Sequence, residues 1–150
     1  MKLYRITKTR YAEDLSGTLA SRCGGRWHPK GLPLLYTSES ASLAALHLCV
    51  SMNPSEVMDD LVLVSLSVSA GRGQSMIEEV DTSLLPEDIY RHPFSLACQQ
   101  IGRRFLLDGQ GLGLRVPSSL IRSESHILLN PSYADFHKRV KIEHIEPFML

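Results

Sequence analysis

The chain has 150 residues, with 16 Lys and Arg against 16 Asp and Glu and 43% hydrophobic residues, which predicts one globular domain over residues 1–150. Its formal net charge of +0 supplies no positive field for direct nucleic-acid binding, and at this length stability requires neither disulfides nor a structural metal. The three cysteines, Cys23, Cys49 and Cys98, are odd in number and lack paired spacing, which argues against a secreted disulfide framework or a zinc ribbon and for a cytoplasmic location.

Residues 3–7 read as a short strand, and charge at Lys2 and Arg5 interrupts the N-terminus before an apolar run of signal-peptide length. Residues 14–20 predict a helical turn. The stretch Gly24-Gly25-Arg26-Trp27-His28-Pro29-Lys30-Gly31 predicts an irregular loop. Residues 34–37 read as a buried strand, after which Ser38 or Ser40 caps a helix with Leu43, Ala44, Leu46 and Val50 at helical spacing and Pro54 beyond its end. Residues 61–68 begin apolar and then alternate with Ser, the pattern of a strand leaving a core, stopped by Gly71 and Gly73. A short strand at 76–80 precedes a second helix over 93–107, with Phe94, Ala97, Cys98, Ile101 and Phe105 on one face and Gly109 past its end. Strand candidates follow at 112–116, 119–122 and 126–129, then a turn at Asn130-Pro131-Ser132 and an alternating segment over 140–148. Strands that do not alternate regularly with helices predict an α+β domain with mixed or antiparallel sheets. The longest apolar runs, 43–50 and 61–68, fall far short of a membrane span.

Several residues have the right chemistry for a ligand. Arg26, beside two glycines, can grip a phosphate with two parallel hydrogen bonds, and Arg5 supplies a second such group if its strand borders a cleft. Tyr36 stands at a strand end leading into a helix, where ligands often sit, and offers an aromatic face to a flat cation. The helix amides near Ser38 attract an anion. His28, His92, His137 and His144 have no metal-ligand spacing, and Cys49 and Cys98 fall on apolar helical positions as core thiols.

The succession Tyr4-Arg5-Ile6, the Gly-Gly-Arg-Trp loop, Leu35-Tyr36-Thr37-Ser38-Glu39-Ser40, Leu43-Ala44, Val116-Pro117-Ser118 and Leu129-Asn130-Pro131 resembles the RES domain, the toxin half of bacterial toxin–antitoxin pairs. The resemblance implies a compact fold similar to the ADP-ribosyltransferase toxins and a cleft that binds NAD. It implies that NAD is a substrate, destroyed by hydrolysis or phosphorolysis or used to transfer ADP-ribose to a protein, with growth arrest as the outcome and no metal. An antitoxin with a helix-turn-helix DNA-binding part is the implied partner, and strand edges leave a homodimer open. Residue by residue, Arg26, Tyr36 and Ser118 match the family's catalytic Arg, Tyr and Ser, with Ser119 and Ser132 as alternative equivalents of the last. Arg5 matches a basic position of the pocket and Asn130 the Asn-Pro near the end; Ser38 joins them as a binding residue.

One departure bears on chemistry. The family's Glu is expected where this chain has His47, and a neutral imidazole accepts a hydrogen bond or acts as a base without supplying negative charge. Glu39, Glu56 and Glu124 are candidate replacements. His126 and Tyr133 stand where an Asn and a His are usual. A domain that keeps the fold and binds a nucleotide or a partner without turnover is the alternative reading.

Overall fold

The structure, a computed structural model, describes residues 1–53, 55, 59–69, 76–87, 89–90 and 95–150. Pro54, Glu56, Gly71, Gly73, His92, Pro93 and Phe94 lie outside the described residues.

Seven strands form one mixed sheet: β1 (Lys2–Lys8), β2 (Leu35–Ser38), β3 (Leu61–Val68), β4 (Ile77–Glu79), β5 (Gly113–Pro117), β6 (Ser125–Leu129) and β7 (Val140–Phe148), in the spatial order β4-β5-β6-β2-β1-β3-β7. Among the described residues only the β4–β5 pair is parallel. The helices are α1 (Thr18–Cys23), α2 (Ala41–Ser51), α3 (Leu96–Asp108) and α4 (Phe136–Arg139). The α+β expectation therefore holds.

Period-2 alternation divides the interior into two cores, because successive strand side chains point to opposite faces. On β6, Ile127 and Leu129 join Leu3, Val64, Val140 and Phe136 in one core. Leu128 points the other way and packs with Trp27, Phe105, Leu114 and Val116. The helix α3 covers that second face with Cys98, Gly102, Phe105 and Leu106 buried, is capped by Ser95 and ends at Gly109, whose φ of 64° is the left-handed conformation favouring Gly at this position.

Four local expectations change. The segment 61–68 does not leave the core: β3 pairs with β1 on one side and β7 on the other, so Ser65 is buried with its neighbours. The segment 119–122 is a turn, because the Ser118 hydroxyl accepts the backbone N–H groups of Leu120 and Ile121, both at 3.1 Å, in place of a neighbouring strand's carbonyls. Helix α1 starts at Thr18 and not within 14–17, since Gly17 has φ 69° and a Cβ there would lie 2.6 Å from the Leu34 nitrogen. On α2, Leu43 and Ala44 are buried, whereas Leu46, Val50 and Cys49 are exposed.

The last change has a topological cause. Strands β1 and β2 pair at one point only, Tyr4 opposite Ser38, while β2 continues along β6 and β1 along β3. The sheet splits there, and α2, capped by the Ser40 hydroxyl on the Leu43 nitrogen at 3.1 Å, crosses near the split and contacts both strands. A helix at such a gap borders open space along part of its length.

Candidate active site

The glycine loop is held as a clamp on Tyr36. Gly24 has φ 68°, and the Gly25 N–H donates to the His28 carbonyl at 2.9 Å, closing the turn. His28 Nε2 lies 2.9 Å from the Ala20 carbonyl, which can only accept, so Nε2 carries the proton. Burial holds the His28 pKa below its ordinary value, and the neutral ring therefore accepts the Tyr36 hydroxyl proton at Nδ1, 2.8 Å away. The same phenol oxygen accepts the Trp27 N–H at 3.4 Å, and burial raises the phenol's pKa. Gln99 of α3 donates to the Gly25 carbonyl at 2.9 Å, and Arg26 donates to the Ile89 carbonyl. His28, read from the sequence as outside the chemistry, is thus the tether between α1, the loop and Tyr36.

Two hollows meet at Tyr36. The first, about 220 Å³, opens at the split between β1 and β2 and is lined by Arg5, Asp14, Tyr36, Ser38, His47 and His126 among others. The second, about 400 Å³, is lined by Gly25, Arg26, Tyr36, His47, Ser119 and His126 among others, within the range of roughly 300–1,000 Å³ usual for small-molecule sites. Tyr36, His47, Ser51 and His126 border both. Arg5 and Arg26 thus occupy different hollows with Tyr36 between them.

Both guanidiniums are desolvated, which lowers their pKa values while leaving them charged. Arg5 is aimed by donating to the Asp14 carbonyl at 2.8 Å and the Tyr11 carbonyl at 3.4 Å. Between the hollows stands a ladder of rings. His47 stacks on Tyr36 with centroids 6.2 Å apart and an 18° interplanar angle, and meets His126 edge-on at 5.0 Å and 64°. The Ser38 hydroxyl lies 3.0 Å from His126 Nδ1, as the pairing of Ser38 opposite His126 in β2 and β6 requires.

Two expected residues lie elsewhere. Ser118 is fully buried with its hydroxyl spent on the 119–121 turn, and it is the neighbouring Ser119 that borders the second hollow. Asn130 lines neither hollow: it follows the Leu35 end of the β2–β6 ladder, opposite to the Ser38 end, and its Oδ1 accepts the Ser132 N–H at 3.0 Å. Of the candidate carboxylates, Glu39 pairs with Arg115 at 2.8 Å, and Glu124 accepts from the Ser40 hydroxyl at 3.2 Å. Glu56 lies outside the described residues. Among the described residues the second hollow is lined by no Asp or Glu and the first by Asp14 alone; no group of three or more His, Cys, Asp or Glu among them is placed to hold a metal.

The serine assignment is separable by experiment. Ser118→Ala leaves two part-buried N–H groups without their acceptor and is expected to lower stability by about 0.5–2 kcal/mol, whereas Ser119→Ala is expected within about 0.5 kcal/mol of the parent. Urea denaturation of the two variants checks this, and equal midpoints would show that the turn is not held by the Ser118 hydroxyl.

The buried imidazoles also make stability acid-sensitive. Burial holds His28, His47 and His126 below the ordinary 6.5, with Arg26 adding to the effect on His47 and His47 to that on His126, which falls to about 4. Unfolded, these rings bind protons near 6.5, so the unfolded state takes up more protons and stability declines as pH drops from about 6.5 to about 4. Between pH 7 and pH 5 the expected loss is on the order of 2 kcal/mol. Denaturant midpoints at pH 7 and pH 5 measure it; a domain equally stable at both would contradict neutral burial.

A mixed-sheet α+β domain with two adjoining hollows between its glycine loop and α2 is what the fold and geometry define. The RES domain family profile matches residues 2–150, and the chain belongs to that family. It is 36% identical over 142 residues to the protein named Toxin Res of Photorhabdus laumondii, covering 93% of this chain and 88% of that one. It is 28% identical over 128 residues to the Prs ADP-ribosylating toxin of a Sphingobium species, covering 85% and 79%. Among solved structures, a chain of the M. tuberculosis MbcT–MbcA toxin–antitoxin complex superposes with a TM-score of 0.73 over 97% of this chain and 82% of that one. At 19% identity this last likeness speaks for the fold. No described helix is long and apolar enough to cross a membrane.

Proposed function

We propose that this chain is the toxin of a toxin–antitoxin pair and that it binds NAD across the two hollows and cleaves the bond between nicotinamide and ribose. The observation that carries the reading is the arrangement of two desolvated guanidiniums, Arg5 and Arg26, in hollows that meet at one tyrosine ring. NAD has the complementary pattern, a doubly anionic pyrophosphate and a cationic pyridinium, the first suited to guanidinium forks and the second to an aromatic face. Tyr36 serves as that face: its hydroxyl is engaged by His28 and Trp27, so its ring and not its acidity is what the site offers. Ser38 and Ser119 contribute hydroxyls at the walls.

In hydrolysis, a water oxygen bonds to the ribose anomeric carbon as the carbon–nitrogen bond breaks, and the bonding pair passes to the nicotinamide ring, which leaves neutral. The water's proton goes to neutral His47 and then to solvent. Positive charge develops on the sugar in the transition state, where a carboxylate is the usual stabiliser. With none lining the second hollow among the described residues, the ring face of Tyr36 takes part of that role. With phosphate as acceptor the displacement is the same, and with a protein nucleophile the product is an ADP-ribosylated protein, the activity named for the Sphingobium relative.

Purified protein incubated with NAD tests the reading through release of free nicotinamide, with water, phosphate and a cell extract as acceptors; no release under any of these conditions defeats it. That no described Asp or Glu lines the second hollow favours a second reading, a domain that binds NAD or an antitoxin without turnover. Calorimetry showing NAD bound, together with NAD unchanged over hours, would establish that one. The names of the relatives and the MbcT–MbcA assembly support an antitoxin as partner.

A further inference from the structure

The ring ladder holds a residue that the sequence reading left out of the site. His126 borders both hollows, is buried, and is fixed at two points: its Nδ1 on the Ser38 hydroxyl at 3.0 Å and its ring edge-on to His47 with centroids 5.0 Å apart. His47 in turn is confined between that ring and Tyr36. The charged and titratable groups facing the pair are Arg26 from the glycine loop, Arg5 from β1, Asp14 across the first hollow and Tyr36 from β2. Arg26 opposes a proton on His47, and two protonated rings at this separation repel.

We propose that His126 is a positioning residue for His47 and that the two imidazoles act as one coupled unit, holding the ring at position 47 oriented where the two hollows meet. The coupling does not depend on NAD; its meaning for catalysis rests on the reading above, in which His47 receives the acceptor's proton. A chemical consequence follows that the two residues taken singly do not predict. A carboxylate introduced at position 47 would contact His126, draw a proton onto it and form a neutralised pair, so it would supply little net negative charge to the sugar. The charge becomes available only when position 126 cannot protonate. Asn is the suitable replacement, because its amide keeps a hydrogen-bonding group toward Ser38 and never titrates.

The test has two readouts on the full-length chain. Imidazole titration by NMR follows His126 in the parent and in His47→Glu; the introduced carboxylate is expected to raise the apparent pKa of His126 by about 1–3 units. In His126→Asn, His47 is expected to titrate as a single site, without the second step that a neighbouring imidazole imposes. Nicotinamide release from NAD is then compared for His47→Glu, His126→Asn and the double variant. The double variant is expected to exceed the product of the two single effects by about tenfold, the signature of residues in contact. His126→Gln serves in place of Asn should the latter not fold.

A His126 titration unchanged by His47→Glu, or single effects that multiply to give the double, would overturn the proposal. Coupled titrations without nicotinamide release from any variant would leave the pair standing and remove the NAD-cleavage reading, so the two claims fail separately.

Discussion

Arg26→Ala is expected to lower nicotinamide release from NAD by about a hundredfold or more, the usual cost of removing a fixed electrostatic contact from a desolvated site. Arg26 is 9% exposed and borders the larger hollow, with one guanidinium nitrogen donating to the Ile89 carbonyl. That contact fixes the side chain before any ligand arrives, so its orientation is not bought from binding energy. Arg26→Lys is expected to recover little of the loss, because an ammonium is a point charge and cannot fork across two phosphate oxygens while also reaching Ile89. Calorimetric titration with NAD separates binding from turnover, and denaturant midpoints separate both from the loop contact. An Arg26→Ala protein that folds normally and releases nicotinamide at the parent rate would exclude Arg26 from the site.

Gly102→Ala is expected to be the most damaging small substitution for stability. A Cβ at this position of α3 would lie 1.6 Å from the Trp27 carbonyl oxygen and 2.7 Å from its carbon. Both are backbone atoms of the loop that also carries Arg26 and His28, so the collision cannot be relieved by turning a side chain. Either α3 separates from the loop or the loop is displaced, at a cost of about 3 kcal/mol or more. For a domain of this size that lowers Tm by roughly 6–12 °C. Arg103→Ala, exposed on the same helix, is the comparison and is expected within about 0.5 kcal/mol of the parent. Equal melting temperatures for the two variants would show that the loop and α3 do not make this backbone contact. The expected loss also explains why a residue without a side chain belongs to the apparatus of the site: the approach it permits seats Trp27 in the core and turns Arg26 toward the hollow.

Most secondary-structure elements were legible from periodicity, since a strand or helix records its own repeat in consecutive residues. The strands near residues 3–7, 34–37 and 140–148 and the helix beginning after Ser40 all form. Where the reading failed, an interaction distant in sequence or a side chain had intervened. Ser65 is buried because β7 returns from 75 or more residues later to cover β3's other edge, and Ser118 captures the amides of what would have been a strand at 119–122. Cys49 and Val50 point outward because α2 borders the gap between β1 and β2, a fact about strand order that no helical wheel contains.

For the site, the chain order of Arg5, the glycine loop, Tyr36 and His47 determined which groups with affinity for phosphate and pyridinium are present, because those affinities belong to the side chains themselves. Their division into two hollows was decided by the split of the sheet after Tyr4 and Ser38. The tertiary structure also decided that Ser119 and not Ser118 meets the cavity, that Asn130 lies at the far end of β6, and that His126 stands against His47. Each follows from strand register, the pairing of β2 with a segment some ninety residues away, and register depends on contacts summed over the whole core, which neighbouring residues along the chain do not carry.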